Sequence, residues 1–371
     1  MNILFLRAGI FSNVNHNLLR ALQRYHSVVD NVDAGRVIRR RSLCPTSWFN
    51  LVGTFVFSRQ YWRQTHSKNS FAFNRMTEFC NRFVKARDDY DIIFQTQCKF
   101  SITANPHHRP YFIFTDLTQQ LTEQVWPNWS VRSTKKERAR WLRLETEAFH
   151  RATKIFTFND HVKASFIQDY GLDKNKIVVV GSGMNSVHWA DVDIANKRDR
   201  EFALFFLCTE FERQGGPSIL KAFEIVRRNI PHVKLIIGGS SPVKSSEHIE
   251  VHKNPSNSEI EAMFNRARVY LSPGHLGGVQ SVLEAMGKKC VCVVSESNFL
   301  LYDIIKNGST GVTVPLNDAH ALAEKIIELR QNPDRAETIA MAGYEHARAN
   351  FSWDTVVKKM SRHFSPKNQV A

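Results

Sequence analysis

The chain has 371 residues, of which 43% are hydrophobic and 23% charged, and its formal net charge is +15. This length allows two domains that each bury a core, and the composition excludes a disordered or fibrous protein. No apolar run reaches the roughly 18–20 residues needed to span a bilayer, which excludes a transmembrane helix.

The N-terminus and the cysteines indicate a compartment. Residues 2–6 are apolar at once, without a basic leader, so we expect a first β-strand and not a secretion signal. The six cysteines show no metal-ligand spacing. We therefore expect reduced thiols in a cytoplasmic protein.

The positive charge is concentrated in the N-terminal half, because residues 1–199 carry a net +12 and residues 200–348 are neutral. This asymmetry is typical of a surface that meets a phosphate-bearing lipid, an acidic membrane leaflet, an acidic sugar or nucleic acid. The alternative is a basic surface without a partner. Residues 36–66 mix arginines with aromatic side chains, which suits a membrane interface or, as we favour, a packed helix with its basic face in water.

Short apolar runs alternate with longer amphipathic stretches in the first half of the chain, which predicts parallel β/α units. We expect strands at residues 2–6, 91–94, 111–115, 154–158 and 176–180, and helices at residues 14–25 and 159–170. Residues 182–197 are predicted to link this half to the next.

The alternation restarts at residue 201. We expect strands at residues 202–208, 233–237, 269–272, 290–294 and 311–314, and helices at residues 217–228, 260–267, 279–286, 319–330, 335–350 and 353–363. Two such cycles predict an α/β protein with two facing Rossmann-like domains, parallel sheets and an interdomain cleft. We place the domains at residues 1–190 and 200–350, and expect residues 351–371 to form a C-terminal helix that returns toward the N-terminal domain, followed by a tail.

Residues 271–286 form the stretch richest in chemistry, and they read as strand, glycine loop and helix. Gly277 and Gly278 let the backbone approach a ligand closely, and the helix start offers free N–H groups, which suits a diphosphate. Glu284, about two turns into the helix, suits hydrogen bonds from the two hydroxyls of a ribose. The alternative for Glu284 is a solvent-facing helix residue.

This stretch resembles the donor-binding motif of family 4 (group 1) retaining glycosyltransferases, which have the GT-B fold. The resemblance covers residues 150–360 well and residues 1–149 in outline. It implies transfer of a hexose from a nucleoside diphosphate sugar, the co-substrate, to a glycan or lipid-linked acceptor, with retention of the anomeric configuration and without a cofactor. The segments that carry it are residues 150–185, 205–239, 271–286, 289–295, 303–315 and 318–329.

Carried over by position, Glu284 binds the ribose, and Gly277 and Gly278 lie against the sugar and the diphosphate. The basic pair with which the family neutralises the departing diphosphate is replaced by Thr209 and Gln214.

Arg213, beside this pair, is our candidate for the missing cation, and its alternative is a surface arginine. Leu276 stands where the family places a glutamate that contacts the transferred sugar, and leucine cannot accept a hydrogen bond from a sugar hydroxyl. His275 then binds the donor sugar instead, or transfer is weak or lost. The alternative for His275 is an ordinary loop histidine.

Two residues of the N-terminal half are candidates by the same resemblance. Asp116 follows the strand at residues 111–115 and is predicted to orient the acceptor, although it equally suits the N-cap of a following turn. Gly9, in the first loop, is predicted to approach the diphosphate.

The sequence Asp89-Tyr90-Asp91 matches the metal motif of the other glycosyltransferase fold, GT-A, but it directly precedes an apolar strand. We interpret it as the entry to that strand and predict an enzyme that requires no metal.

Two other functions compete with transfer. A catalytically degenerate GT-B protein could act as a scaffold or binding subunit in glycan assembly. A nucleic-acid binder would use the basic half, but no recognised module supports it, so we expect no nucleic-acid partner. Peripheral contact with an anionic membrane surface stays open.

Overall fold

The structure, a computed structural model, describes residues 1–9, 11–40, 68–125, 127, 134–185 and 201–364. The chain divides into two compact units. The first contains Met1–Gly181 and Val356–Ala371, and the second contains Ser182–Thr355. Each unit is built on one six-stranded sheet whose strands pair in parallel and are connected by helices, so the predicted α/β class is confirmed.

The first unit has the sheet order β2-β1-β3-β4-β5-β6, which reverses direction between β1 and β3. Its strands are β1 (Asn2–Arg7), β2 (Ser27–Asp33), β3 (Ile92–Thr96), β4 (Tyr111–Phe114), β5 (Lys154–Thr157) and β6 (Ile177–Val179). Its helices are α1 (Val14–Tyr25), α2 (Gly35–Arg40), α3 (Ser70–Lys85), α4 (Gln119–Val125), α5 (Lys135–Arg151) and α6 (Asp160–Tyr170).

The second unit has the sheet order β12-β11-β10-β7-β8-β9, which reverses direction between β7 and β10. Its strands are β7 (Ala203–Cys208), β8 (Lys234–Gly239), β9 (Ile249–His252), β10 (Val269–Ser272), β11 (Val291–Ser295) and β12 (Val312–Val314). Its helices are α7 (Gly216–Asn229), α8 (Asn257–Arg266), α9 (Val279–Gly287), α10 (Ala319–Gln331) and α11 (Pro333–Asn350). The last helix, α12 (Trp353–Ser361), begins in the second unit and ends in the first.

These two reversals matter for function. In open parallel sheets, ligands bind beyond the carboxyl ends of the strands at the point where the strand order reverses. The loops that follow β1 and β3, and those that follow β7 and β10, are therefore the places where the structure should present its functional side chains.

The end of the described chain packs on the first unit. The ring of Phe364 is fully buried, and its centroid lies 5.1–6.1 Å from those of Phe94, Phe112 and Phe156. His26 contacts the same ring and forms a 2.7 Å hydrogen bond with the Ser361 hydroxyl. Residues from both ends of the sequence thus share one core.

Two strands, β2 and β9, were not expected. Both lie at the edge of a sheet, where one side of the strand has no neighbouring strand among the described residues. Edge strands tolerate polar residues, so Ser27–Asp33 and Ile249–His252 lack the continuous apolar runs that identify the buried strands. The basic and aromatic segment is residues 36–66. Residues 36–40 belong to α2, and residues 41–66 lie outside the described residues.

The five cysteines of the described ranges are buried and form no disulfide with one another, and Cys44 lies outside those ranges. Among the helices that the structure describes, none is both long and apolar enough to cross a membrane.

Candidate functional site

The turn between β10 and α9 has a backbone that requires glycine. Gly277 and Gly278 have φ values of +100° and +75°, in the left-handed region that side chains disfavour. A Cβ on Gly278 would also lie 2.8 Å from the Ser272 hydroxyl. Gly278 is the N-cap of α9, so the first N–H groups of this helix lie at the turn and could bind an anion.

The loop after β7 packs directly against this turn. A Cβ on Gly274 would lie 2.8 Å from the Cα of Gln214, and one on Gly215 would lie 2.9 Å from the Pro273 ring. The two loops that flank the β7/β10 reversal therefore form one surface.

Arg213 lies on that surface. Its Nη1 donates a 2.9 Å hydrogen bond to the carbonyl of Leu276, and its Nε lies 3.0 Å from a carboxylate oxygen of Glu210. The side chain is 21% exposed. Arg213 is thus directed toward the turn, but a carboxylate already balances part of its charge.

The departure at Gln214 has a structural role. Its side-chain oxygen accepts hydrogen bonds from the backbone amides of Thr209 and Glu210, at 2.8 and 2.9 Å. A lysine at this position could donate but not accept, so it could not hold the loop in this way.

The two residues before Gly277 differ in burial. The Leu276 side chain is 4% exposed and belongs to the interior. His275 is half-buried, and its Nδ1 lies 3.1 Å from the hydroxyl of Ser297, which in turn lies 2.9 Å from that of Ser295. The Nε2 of His275 forms no hydrogen bond with a described residue, so it is the ring atom that a ligand could use.

Asn298 supports the turn and was not predicted. Its amide nitrogen donates a 2.9 Å hydrogen bond to the carbonyl of Gly277, and the side chain is almost fully buried. Its side-chain oxygen has no hydrogen-bond partner among the described residues. Ser297 and Asn298 follow β11, which neighbours β10, and this position after a strand was the signal that could have found them.

Glu284 is half-buried on α9 and not fully exposed. Burial raises the pKa of its carboxyl group to about 7, against the opposing charge of Lys288. One helical turn earlier on the same face lies Gln280. The side chain of Gln280 forms hydrogen bonds of 2.8–3.1 Å with Ser182, Gly183 and Asn185.

In the first unit, Gly9 follows β1 with a φ of +77°. Its amide donates a 3.0 Å hydrogen bond to Asp33, and its carbonyl accepts from Arg7 and Asn15. Asp33 also pairs with Arg7 at 3.3 Å. Since both polar groups of Gly9 are bonded within the unit, this residue shapes its loop and directs no backbone donor of its own outward.

Asp116 follows β4 and is half-buried. Burial raises the pKa of its carboxyl group to about 6, although backbone amides and the charges of Lys99 and Lys68 oppose the rise. The helix α4 begins only at Gln119, and the hydroxyl of Thr118 accepts a hydrogen bond from the amide of Leu121, so Asp116 lies ahead of the start of this helix.

The predicted residues fall into two groups. Arg213, His275, Gly277 and Gly278 come together at the β7/β10 reversal, with Glu284 on the helix that starts there. The other two predicted residues belong to the first unit, at the carboxyl edge of its sheet.

The Asp-x-Asp sequence lies at the entry to β3. Asp89 pairs with Arg87 at 2.7 Å, and Asp91 accepts a 2.7 Å hydrogen bond from the amide of Asn2. Within the described ranges, no three His, Cys, Asp or Glu side chains are grouped as metal ligands.

Comparison with known proteins shows glycosyltransferase similarity. Residues 188–346 match the family model described as Glycosyl transferases group 1. The capsular polysaccharide biosynthesis glycosyltransferase CapM of Staphylococcus aureus is 24% identical over 243 residues, which cover 60% of this chain and 64% of that protein. A GDP-mannose-dependent alpha-(1-6)-phosphatidylinositol monomannoside mannosyltransferase of Mycobacterium tuberculosis is 22% identical, over 40% of this chain and 43% of that protein. The matches thus span less than two thirds of these relatives.

Solved structures resemble the chain over nearly its whole length. Sucrose-phosphate synthase from Thermosynechococcus elongatus has a TM-score of 0.67 at 14% identity and covers 98% of each chain. HepE of Anabaena, in complex with UDP-glucose, has a TM-score of 0.64 at 13% identity and covers 98% of this chain and 99% of that one. The predicted GT-B fold is therefore confirmed.

Proposed function

We propose that this protein is a metal-independent glycosyltransferase that moves a hexose from a nucleoside diphosphate sugar to a glycan or lipid-linked acceptor, with retention of the anomeric configuration. One observation carries the proposal. Arg213, His275 and the glycine turn meet at the β7/β10 reversal, where α9 begins. The glycosyltransferase relatives, and the UDP-glucose in the HepE structure, support a nucleotide sugar as donor.

Each group at the turn has a chemical task in this proposal. The diphosphate lies against Gly277 and Gly278, at the start of α9, where free N–H groups and the helix dipole stabilise its charge. Arg213 adds a cation that stabilises the diphosphate as it departs. Glu284 accepts hydrogen bonds from the ribose, and Nε2 of His275 contacts a sugar hydroxyl in place of the missing glutamate.

The acceptor belongs to the first unit in this proposal, where Asp116 orients its hydroxyl. The charge of the N-terminal half favours an acidic or lipid-linked acceptor, with peripheral contact to an anionic membrane surface. The similarity to a mannosyltransferase of a phosphatidylinositol lipid supports the same choice.

Calorimetry with UDP and GDP tests the donor site. We expect one of the two nucleotides to bind wild type, and Glu284→Ala to weaken that binding at least tenfold, about 1.4 kcal/mol, because two ribose hydroxyls lose their acceptor. Glu324→Ala is the matched control, since Glu324 is an exposed glutamate on α10.

The donor site is rejected if wild type binds no nucleoside diphosphate, or if Glu284→Ala binds as wild type does while keeping its thermal stability. Once a donor and an acceptor are found, NMR of the product reports the anomeric configuration, and turnover in excess chelator tests independence from metal.

A scaffold or binding subunit in glycan assembly is the second candidate. The ion pair between Arg213 and Glu210 favours it, because Glu210 offsets the positive charge that would stabilise a departing diphosphate. The buried Leu276 also favours it, because leucine replaces the carboxylate that would bind the sugar. Turnover of a sugar nucleotide by wild type, above the rate of Arg213→Ala, contradicts this candidate. Nucleotide binding without turnover across a donor panel supports it.

A further inference from the structure

Two serines, Ser295 and Ser297, connect His275 to the end of β11. The Nδ1 of His275 lies 3.1 Å from the hydroxyl oxygen of Ser297, which lies 2.9 Å from the hydroxyl oxygen of Ser295. A neutral imidazole carries one hydrogen, on either Nδ1 or Nε2. The direction of the hydrogen bonds along this chain therefore decides whether Nε2 offers a ligand a hydrogen or a lone pair.

The direction of the chain is set at Ser295. This residue ends β11 and is 1% exposed, so its hydroxyl is withdrawn from water. Among the described residues, the hydroxyl forms hydrogen bonds only with Ser297, whose amide donates to it at 3.3 Å and whose hydroxyl oxygen lies 2.9 Å away. A buried hydroxyl hydrogen without an acceptor is costly. Ser295 therefore donates its hydrogen to the oxygen of Ser297.

Ser297 can then donate to His275. Its oxygen accepts from Ser295, so its own hydrogen is available for Nδ1, and a hydroxyl that accepts a hydrogen bond becomes a stronger donor. In the opposite arrangement, Nδ1–H donates to the same oxygen, which then accepts from two side chains and must donate to water. The first arrangement satisfies each hydroxyl hydrogen within the chain of three side chains, and it leaves the hydrogen of the ring on Nε2.

Asn298 attaches the same segment to the glycine turn. Its Nδ2 donates a 2.9 Å hydrogen bond to the carbonyl of Gly277, and its backbone amide donates a 3.1 Å hydrogen bond to the carbonyl of Ser295. The side chain of Asn298 is 1% exposed. The segment after β11 is therefore joined to the turn at two points, His275 and Gly277, and this double attachment holds Ser297 next to the imidazole ring.

We propose that Ser297, oriented by Ser295, is a positioning residue that keeps the hydrogen of neutral His275 on Nε2. Nε2–H then donates a hydrogen bond to an oxygen of the donor sugar, whereas a glutamate at position 276 would accept one from a sugar hydroxyl. The contact with the sugar rests on the proposed function. The position of the hydrogen depends on the second unit alone and can be measured without a ligand.

NMR of the full-length protein with ¹⁵N-labelled histidine, in alkaline buffer, tests the position of the hydrogen. The ¹⁵N shifts distinguish a ring nitrogen that carries hydrogen from one that does not. The signals absent from His275→Gln, or from His275→Asn if the first variant does not fold, belong to His275. We expect hydrogen on Nε2 in wild type and in Ser297→Thr, which keeps the hydroxyl. Ser297→Asp should move it to Nδ1, because a carboxylate only accepts.

Calorimetry tests the contact with the sugar. The affinity for UDP-glucose or GDP-mannose, whichever binds, divided by the affinity for the matching nucleoside diphosphate, isolates the contribution of the sugar. Ser297→Asp should lower this ratio roughly threefold or more, because the sugar oxygen loses its hydrogen-bond donor, and Ser297→Thr should keep it. Ser309→Ala, an exposed serine before β12, is the control that should change neither the spectrum nor the ratio.

Hydrogen on Nδ1 in wild type overturns the proposal, and so does hydrogen that stays on Nε2 in folded Ser297→Asp. If Ser297→Asp does not fold, Ser297→Ala decides, because the Nδ1 signal should shift when its hydrogen-bond donor is lost. An unchanged affinity ratio in Ser297→Asp contradicts the contact with the sugar. Absence of nucleotide binding, with the expected spectra, contradicts the proposed function and leaves the positioning of His275 by Ser297 standing.

Discussion

Glu145 is a carboxyl group enclosed in the first unit, 4% exposed. One of its oxygens accepts hydrogen bonds from the Tyr170 hydroxyl at 2.5 Å and from the Gln119 amide at 3.2 Å. Tyr170 in turn accepts a 3.1 Å hydrogen bond from the amide of Gln120. This network holds the start of α4, three residues after Asp116, so a buried acid supports the loop that carries a candidate acceptor residue.

The protonation of Glu145 makes stability depend on pH. Its pKa is raised from 4.5 to about 8, so between these values the folded state holds a proton that the unfolded state has released. The free energy of unfolding should therefore fall as pH rises from about 4.5 to about 8. Glu145→Gln keeps an oxygen acceptor and removes the titration, so we expect it to lower this pH-dependent loss by roughly 2–4 kcal/mol.

Urea denaturation of wild type and Glu145→Gln at pH 5 and pH 8 measures that difference. Glu147→Gln, an exposed glutamate on the same helix, is the control and should follow wild type. A parallel pH dependence in wild type and Glu145→Gln would show that Glu145 is already ionised in the folded protein.

The sequence identifies only some of the candidate functional residues. Gly277, Gly278 and Glu284 are candidates because they belong to one contiguous motif, and Arg213 is a candidate because it lies beside the replaced basic pair. Glu145 was missed, although it interrupts the buried side of α5 formed by Trp141, Ala148 and Phe149, and a charged residue on an apolar face was the available signal.

The glycine turn before α9 can be tested as an element. Gly278 and Gly308 both have φ near +75°, but a Cβ on Gly308 meets nothing within 4 Å, whereas one on Gly278 meets the Ser272 hydroxyl at 2.8 Å. Gly308→Ala should cost about 1 kcal/mol of stability, from backbone strain alone. Gly278→Ala should cost about 2–3 kcal/mol, since overpacking adds to the strain, and should also weaken nucleotide binding.

Urea denaturation compares the two glycine variants, and calorimetry with nucleotide follows binding. Equal stability losses, with nucleotide binding unchanged in both, would show that the shape of the turn at residue 278 is not what holds the ligand.

Elements were predicted well where burial leaves a strong pattern. Val14–Tyr25 and Val269–Ser272 have the predicted bounds, and most other predicted elements end within a residue or two of those observed. The two edge strands were missed because their alternation is weak. The helices Ser70–Lys85 and Lys135–Arg151 were not predicted, although both show an apolar stripe with the helical period.

At the scale of the molecule, the first unit depends on residues that follow the second. Phe364 is fully buried against the first sheet, whereas Phe71 is 56% exposed. Phe364→Ala should therefore destabilise the first unit by about 3–5 kcal/mol, and Phe71→Ala by less than about 1 kcal/mol.

Thermal denaturation, with the near-ultraviolet signal as a probe of tertiary packing, measures both phenylalanine variants. Similar transition temperatures for Phe364→Ala and wild type would contradict the importance of this packing.

The fold of the whole chain could be predicted from the sequence for a physical reason. Two cycles of alternating strands and helices restrict the chain to two parallel-sheet units, because connections between parallel strands must cross over. The side-chain contacts at the β7/β10 reversal were harder to predict from the sequence, because the pairs Arg213–Glu210 and His275–Ser297 depend on side-chain orientation within loops.

The packing of Phe364 also orders events during synthesis. The second unit is one continuous stretch, Ser182–Thr355, and all of it leaves the ribosome before Phe364 does. The unit that is translated first therefore completes its core last. Until Phe364 is synthesised, Phe94, Phe112 and Phe156 lack its ring as a packing partner. A chaperone that shields nascent chains should contact the early residues for longer than the later ones.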